Sequence, residues 1–185
     1  QIVLLDDGFQ DPSFHKDFSL IVVDGEKGFG NKKCMPAGPL RENIVQGFKR
    51  ADALVIVGQR IYKFDTFPTH LKIIHSTLKP IETGINWKEG KYLAFAGIAD
   101  PSKFFKTLRS LGANLIDCVA LSDHQKLDGQ VLKRLERKAN SAHAQLVTTE
   151  KDAVRLSNTY RKKVLSLPVR IEFDDKNELE NLFNI

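Results

Sequence analysis

The feature that most constrains the fold of this chain is an alternation of short apolar runs with longer stretches of helical periodicity. Apolar runs bounded by charge, glycine or proline are typical of buried strands, and apolar residues three and four apart are typical of amphipathic helices. Alternating strands and helices favour parallel sheets flanked by helices. Strands are predicted over residues 2–5, 20–23, 54–57, 71–74, 92–96, 115–121, 146–148, 164–167 and 169–173, and helices over 43–50, 101–111, 131–139 and 179–183.

Two domains are predicted, because periodicity is lost over residues 79–90, where prolines and glycines cluster. Residues 1–88 are predicted to be a truncated α/β/α domain, and residues 89–185 a second α/β/α domain that is smaller than the first would be when complete. The second domain has a clear helix start, with Asp100 as N-cap and Pro101 in the first turn.

The composition is that of a globular protein, with 42% apolar and 28% charged residues. No apolar stretch approaches the roughly 20 residues of a membrane-spanning helix. Two distant cysteines, Cys34 and Cys118, indicate reduced structural thiols.

The net charge of +5 favours an anionic partner. The basic residues are dispersed along the chain and are not interleaved with aromatic residues, which argues against nucleic acid as that partner. The chain opens at Gln1 directly into an apolar run, so further upstream sequence is expected.

The strongest chemical signal is Asp6-Asp7-Gly8, directly after the first predicted strand. The carboxyl ends of parallel strands are where ligands bind in open α/β sheets. Paired carboxylates there suit Mg²⁺, which prefers oxygen ligands. Capping of a following turn explains the same residues equally well.

A second signal is the rigid segment 36–42, which ends in Arg41 and Glu42. A guanidinium can clamp phosphate oxygens, and a carboxylate can complete a metal shell. An exposed loop without chemistry is the competing interpretation.

Two further strand ends carry polar residues. Asp123 and His124 follow the strand over 115–121, where a histidine can act as general base or lie on the surface. Thr149 follows the strand over 146–148 and is predicted to cap a helix, with Asp152 as its partner three residues on. Lys151 is a candidate contact to an anionic substrate.

These segments form an ordered set: DDGFQ at 6–10, PAGPLRE at 36–42, AFAGIA at 94–99, DH at 123–124 and TTEKDAVRL at 148–156. In this order the set resembles the tetraacyldisaccharide 4'-kinase family of lipid A biosynthesis. The resemblance implies a P-loop kinase of two α/β/α domains, of which residues 1–88 are the remainder of the kinase core and 89–185 the acceptor domain. It departs at Asp11 and Gln125, where the family usually has histidine.

The resemblance also implies an activity: transfer of the γ-phosphoryl group of ATP, with Mg²⁺, to the 4'-hydroxyl of a tetraacylated glucosamine disaccharide 1-phosphate. Such an enzyme works peripherally on an anionic membrane surface, the cytoplasmic face of the bacterial inner membrane. The site residues carried over are the metal ligands Asp6, Asp7 and Glu42, which also count as catalytic, and the catalytic residues Arg41 and His124. Gln10, Asp123 and Lys151 are predicted to bind the substrate.

One expected part is absent from the printed sequence. No G-x-x-x-x-G-K-[ST] segment, which cradles nucleotide phosphates, occurs in the 185 residues. The chain is therefore expected to be the C-terminal part of a kinase, inactive without an upstream P-loop segment. The alternative is a non-catalytic remnant that folds and binds an anionic lipid or sugar phosphate.

Overall fold

The computed structural model describes residues 2–64, 67–122, 125, 127–175, 177 and 180. They form two compact units, one of Gln1–Lys79 with Ile171–Ile185 and one of Pro80–Arg170. In chain order the elements are β1 (Leu20–Asp24), α1 (Ile44–Arg50), β2 (Ala53–Val57), β3 (Lys72–Pro80), β4 (Lys91–Ala96), α2 (Pro101–Ser110), β5 (Asn114–Ala120), α3 (Gly129–Ser141), β6 (Ala144–Thr149), α4 (Glu150–Ala153), α5 (Asn158–Arg161), β7 (Val164–Leu167) and β8 (Val169–Phe173).

The first unit contains a sheet with strand order β1-β2-β3-β8. Strands β1, β2 and β3 are parallel, with Val22 opposite Val55 and Val55 opposite Ile74. Most of β2 is buried, as expected for a central strand covered on both faces. Phe48 of α1 packs on one face of the sheet with Leu54 and neighbouring apolar side chains.

The second unit is an all-parallel sheet of order β5-β4-β6-β7 between helices. Alternate residues of β4 point to opposite faces: Ala94 packs with the apolar side of α2, and Phe95 with the apolar side of α3. The chain moves from β4 outward to β5 and then crosses to β6 on the other side of β4. In open α/β sheets, ligands bind beyond the carboxyl ends of the strands at such a reversal, which here lies between β4 and β6.

The structure confirms the predicted α/β class with parallel sheets, and the elements predicted over residues 20–173 lie within a few residues of the observed ones. Both cysteines are free thiols, as predicted. The helix predicted over 179–183 lies outside the described residues apart from residue 180. Among the described residues, no helix has the length and apolarity needed to cross a bilayer.

The strand predicted over residues 2–5 is wrong. These residues have no strand structure, and their side chains are exposed, with Leu4 at 87%. A strand requires a neighbour to satisfy its backbone groups, and none of the described strands pairs with this segment.

The division into units differs from the predicted boundary at residues 88 and 89. The first unit ends at Lys79, because β3 extends six residues beyond the apolar run at 71–74. The chain returns to this unit at Ile171, since β8 adds to the same sheet beside β3. Pairing between strands so distant in sequence leaves no local signal.

Candidate active site

The structure brings together the two motifs at residues 6–10 and 36–42. Arg41 donates two hydrogen bonds to the carboxylate of Asp7, from Nη1 to Oδ1 at 2.7 Å and from Nη2 to Oδ2 at 2.9 Å. Arg41 Nη1 also lies 3.5 Å from Oε1 of Gln10. A two-pronged guanidinium–carboxylate pair fixes geometry more strictly than a single ion contact does.

Asp7 lies in a strained turn that aims its carboxylate at Arg41. Its φ of 54° is in the left-handed region, which costs energy for a residue other than glycine. The hydrogen bonds from Arg41, and secondarily its charge, hold the pKa of Asp7 below its ordinary value. The Asp7 carboxylate is exposed to solvent and ionised at neutral pH, and its pairing with Arg41 extends the ionised range to lower pH.

Glu42 is held by two partners. Arg50 Nη2 donates to Oε1 at 2.5 Å and to Oε2 at 2.6 Å, and Gln10 Nε2 donates to Oε1 at 2.9 Å. These bonds, with that of Arg50 the stronger influence, lower the pKa of Glu42 against the opposing effect of partial burial. Gln10 therefore joins both pairs, because its amide contacts Arg41 through oxygen and Glu42 through nitrogen.

Arg50 belongs to this cluster and was not predicted from the sequence. Its Nη1 donates to the carbonyl of Phe9 at 3.2 Å, and its guanidinium lies 4.6 Å from the centre of the Phe9 ring. One side chain thereby connects the 6–10 motif with Glu42. A signal existed: Arg50 ends the predicted helix at 43–50, eight residues after Glu42, but an arginine in a last helical turn is also explained by the helix dipole.

The loop before Arg41 has little freedom. A Cβ at Gly38 would lie 2.3 Å from the carbonyl oxygen of Lys33, so the close approach requires glycine. The Asn31 side chain donates to the Ala37 carbonyl at 2.8 Å. Asn43, directly after Glu42, caps α1 by accepting from the Val45 amide. Arg41 and Glu42 thus lie between a rigid turn and a capped helix.

The oxygen donors at this cluster suit Mg²⁺ in their chemistry. Asp6 is exposed, whereas Asp7 and Glu42 each direct both carboxylate oxygens at an arginine. Within the part of the chain that the structure describes, no group of three or more His, Cys, Asp or Glu is arranged to hold a metal ion. Binding of Mg²⁺ by Asp6, Asp7 and Glu42 remains a prediction.

The other predicted site residues belong to the second unit. Asp123 and His124 lie outside the described residues. Lys151 is exposed on α4. Thr149 caps α4 as predicted, since its hydroxyl accepts from the Asp152 amide at 3.2 Å.

The chain shares its α/β fold with a solved structure. A crystal structure of LpxK from Aquifex aeolicus in complex with ATP matches with a TM-score of 0.67 and 23% sequence identity, over 96% of this chain and 55% of that one. At this identity the likeness shows the fold.

The family is shown by sequence. The family model for Tetraacyldisaccharide-1-P 4'-kinase matches residues 1–184. Proteins named Tetraacyldisaccharide 4'-kinase are 47% identical in Jannaschia sp. (strain CCS1), over 98% of this chain and 57% of the relative, and 47% identical in Dinoroseobacter shibae, over 97% and 55%. The chain belongs to the tetraacyldisaccharide-1-P 4'-kinase family, and it spans about half the length of these relatives.

Proposed function

We propose that this chain supplies the metal- and acceptor-side part of a kinase that transfers the γ-phosphoryl group of ATP to the 4'-hydroxyl of a tetraacyl disaccharide 1-phosphate. The observation that carries the proposal is the cluster joining Asp7, Gln10, Arg41, Glu42 and Arg50, because it assembles the two motifs of the first unit through side-chain contacts. Phosphoryl transfer asks a protein mainly for positioning and charge neutralisation, and this cluster supplies both.

Each residue has a proposed role. Asp6, Asp7 and Glu42 hold Mg²⁺, which when bound neutralises charge on the phosphates. Arg41 uses part of its guanidinium on Asp7 and Gln10, which leaves N–H donors for a phosphate oxygen. Arg50 orients Glu42 and the turn at Phe9.

The acceptor side is proposed for the second unit. His124, with Asp123, acts as the general base that accepts the proton of the acceptor hydroxyl, and Lys151 contacts the anionic acceptor. The ATP phosphates require a P-loop segment that is not among these 185 residues. We propose that it is supplied upstream in the same protein.

The proposed acceptor also defines where the protein works. A lipid-linked disaccharide phosphate is presented at an anionic membrane surface, for which the net charge of +5 is suited. We propose peripheral association with the cytoplasmic face of the inner membrane, without nucleic acid as a partner.

The test is a chimera in which this chain replaces the matching segment of the Jannaschia relative. Transfer of labelled phosphate from ATP to the tetraacyl disaccharide 1-phosphate is measured. We expect an active chimera, and a loss of at least about 100-fold in kcat for Asp7→Asn because charge neutralisation in the transition state is removed. The matched control is Asp17→Asn, a fully exposed aspartate whose ion pair is with His15, and it should keep full activity.

Two outcomes would overturn the proposal. An active chimera that tolerates Asp7→Asn would show that this cluster takes no part in transfer. A folded but inactive chimera would favour the second candidate, a non-catalytic remnant that binds an anionic lipid or sugar phosphate.

A further inference from the structure

The carboxyl edge of the second sheet carries a charged pair, the buried Asp152 and the partly exposed Arg155, to which the proposed mechanism assigns no role. Gly97 follows β4, Gln125 lies beyond β5, and Asp152 lies just after β6. The reversal of strand order lies between β4 and β6, and open α/β sheets bind ligands beyond the carboxyl ends of such strands. Side chains that connect these three segments therefore bear on the shape of this edge.

Asp152 is the centre of this connection. It is fully buried, at 0% exposure. Its Oδ2 accepts from the Gly97 amide at 2.8 Å and from the Thr149 hydroxyl at 3.0 Å. Its Oδ1 accepts from Arg155 Nη1 at 3.1 Å. Gly97 leaves little room here, since a Cβ would lie 3.3 Å from Oδ1 of Asp152.

Arg155 extends the connection to the third loop. Its Nη2 donates to the backbone carbonyl of Gln125 at 2.5 Å, thirty residues earlier in the chain. Gln125 is further tied to Ser122, because its amide donates to the Ser122 carbonyl at 2.9 Å and its side-chain oxygen accepts from the Ser122 amide at 3.1 Å. The segment between these two residues carries Asp123 and His124.

We propose that Asp152 and Arg155 are positioning residues that hold the backbone at Gln125, the residue that follows His124 in the chain. The role in transfer rests on the proposed function, in which His124 handles the acceptor proton. An ion pair with a buried partner is weak evidence for stability alone, because apolar side chains of similar size often stabilise a core equally well. This pair instead directs its donors and acceptors at the backbones of two loops at a ligand-binding edge.

Small displacements at such an edge have large effects. A shift of about 1 Å in a reacting group can cost about 100-fold in rate. Removal of Arg155 should therefore lower kcat while leaving the KM for ATP unchanged, since the ATP-side residues belong to the other unit.

The experiment compares Arg155→Ala, Arg155→Lys and the control Arg161→Ala. Arg161 also donates to a backbone carbonyl, that of Val154 at 2.7 Å, but from an exposed position. Amide hydrogen exchange is measured in the 185-residue chain by mass spectrometry, and kcat and KM are measured in the chimera.

For Arg155→Ala we expect exchange to rise about tenfold or more in peptides covering residues 121–128, with β4 and β6 unchanged, and kcat to fall about 10- to 100-fold. Arg155→Lys, which keeps one donor group, should be intermediate, and Arg161→Ala should match the unmodified chain. Equal increases in β4 and β6, or no increase over 121–128, would overturn the proposal. Should the chimera be inactive in every form, the proposed function fails, and the exchange measurement still decides the positioning role.

Discussion

The buried carboxylate of Asp152 allows a quantitative prediction for Asp152→Asn. The aspartate accepts three hydrogen bonds, from Gly97, Thr149 and Arg155. An amide has a single acceptor oxygen, which can keep the bonds to Gly97 and Thr149 but then turns its NH₂ group towards Arg155. The lost hydrogen bond to a charged group is worth about 1.5–3 kcal/mol, so the free energy of unfolding of the second unit should fall by about 2–3 kcal/mol.

A larger effect is expected for Asp152→Ala. All three bonds disappear, and the buried Gly97 amide and the Arg155 guanidinium lose their partner. Removing one member of a fully buried ion pair costs about 3–5 kcal/mol, and the 28% exposure of the Arg155 side chain puts the expected loss at the lower end of this range. The order of stability should therefore be Asp, then Asn, then Ala.

The assay is urea unfolding followed by tryptophan fluorescence. Trp87 is the single tryptophan of the chain, is buried at 7% exposure and packs against Tyr92, so its emission reports on the second unit. With a urea dependence of about 1–3 kcal/mol per molar, a loss of about 2–3 kcal/mol should lower the midpoint of Asp152→Asn by about 0.7–3 M.

The control for this series is Glu136→Gln. Glu136 pairs with Lys163 at the surface of the same unit, so the midpoint should stay unchanged. A shift for Asp152→Asn no larger than that of the control would refute the reasoning, because the burial and three bonds of Asp152 would then have no energetic consequence.

Three predictions concern the first unit. Arg50 lowers the pKa of Glu42, so the ionised carboxylate stabilises the fold at neutral pH. This stabilisation is lost as the pH falls through the lowered pKa. The thermal midpoints of the unmodified chain and of Glu42→Gln should therefore converge in acid. Arg41→Gln should return the pKa of Asp7 towards its ordinary value, measured by carbon-13 NMR of the carboxyl group. Gly38→Ala should reduce transfer by the chimera more than tenfold, because its Cβ would overlap a backbone carbonyl and displace Arg41.

Each of these has a contradicting result. A constant difference in thermal midpoint between pH 7 and pH 3 would show that Glu42 does not titrate in its ion pair. An unchanged Asp7 titration in Arg41→Gln would show that Arg41 does not set the pKa of that carboxyl. The control for Gly38→Ala is Gly129→Ala, where a Cβ meets nothing within 4 Å; equal activity of the two variants would exclude the steric argument.

Part of the candidate site could be predicted from the sequence. Asp7, Gln10, Arg41 and Glu42 stand in two short motifs whose residue types indicate metal and phosphate chemistry, and the structure joins all four. Arg50 could not be assigned in this way, because its role depends on contacts with Phe9 and Glu42 that are made only after the chain folds. The connection from Asp152 through Arg155 to Gln125 was missed for the same reason.

The sequence by itself determined the class of fold and most of its elements. Continuous apolar runs and a period of about 3.6 residues are local properties of the sequence. Strands such as β2 and helices such as α2 can therefore be predicted from it. Strand pairing is not local. Only the tertiary structure decided that residues 2–5 remain outside the sheets and that β8 returns to the first unit, since both depend on which distant backbone satisfies each strand's hydrogen bonds.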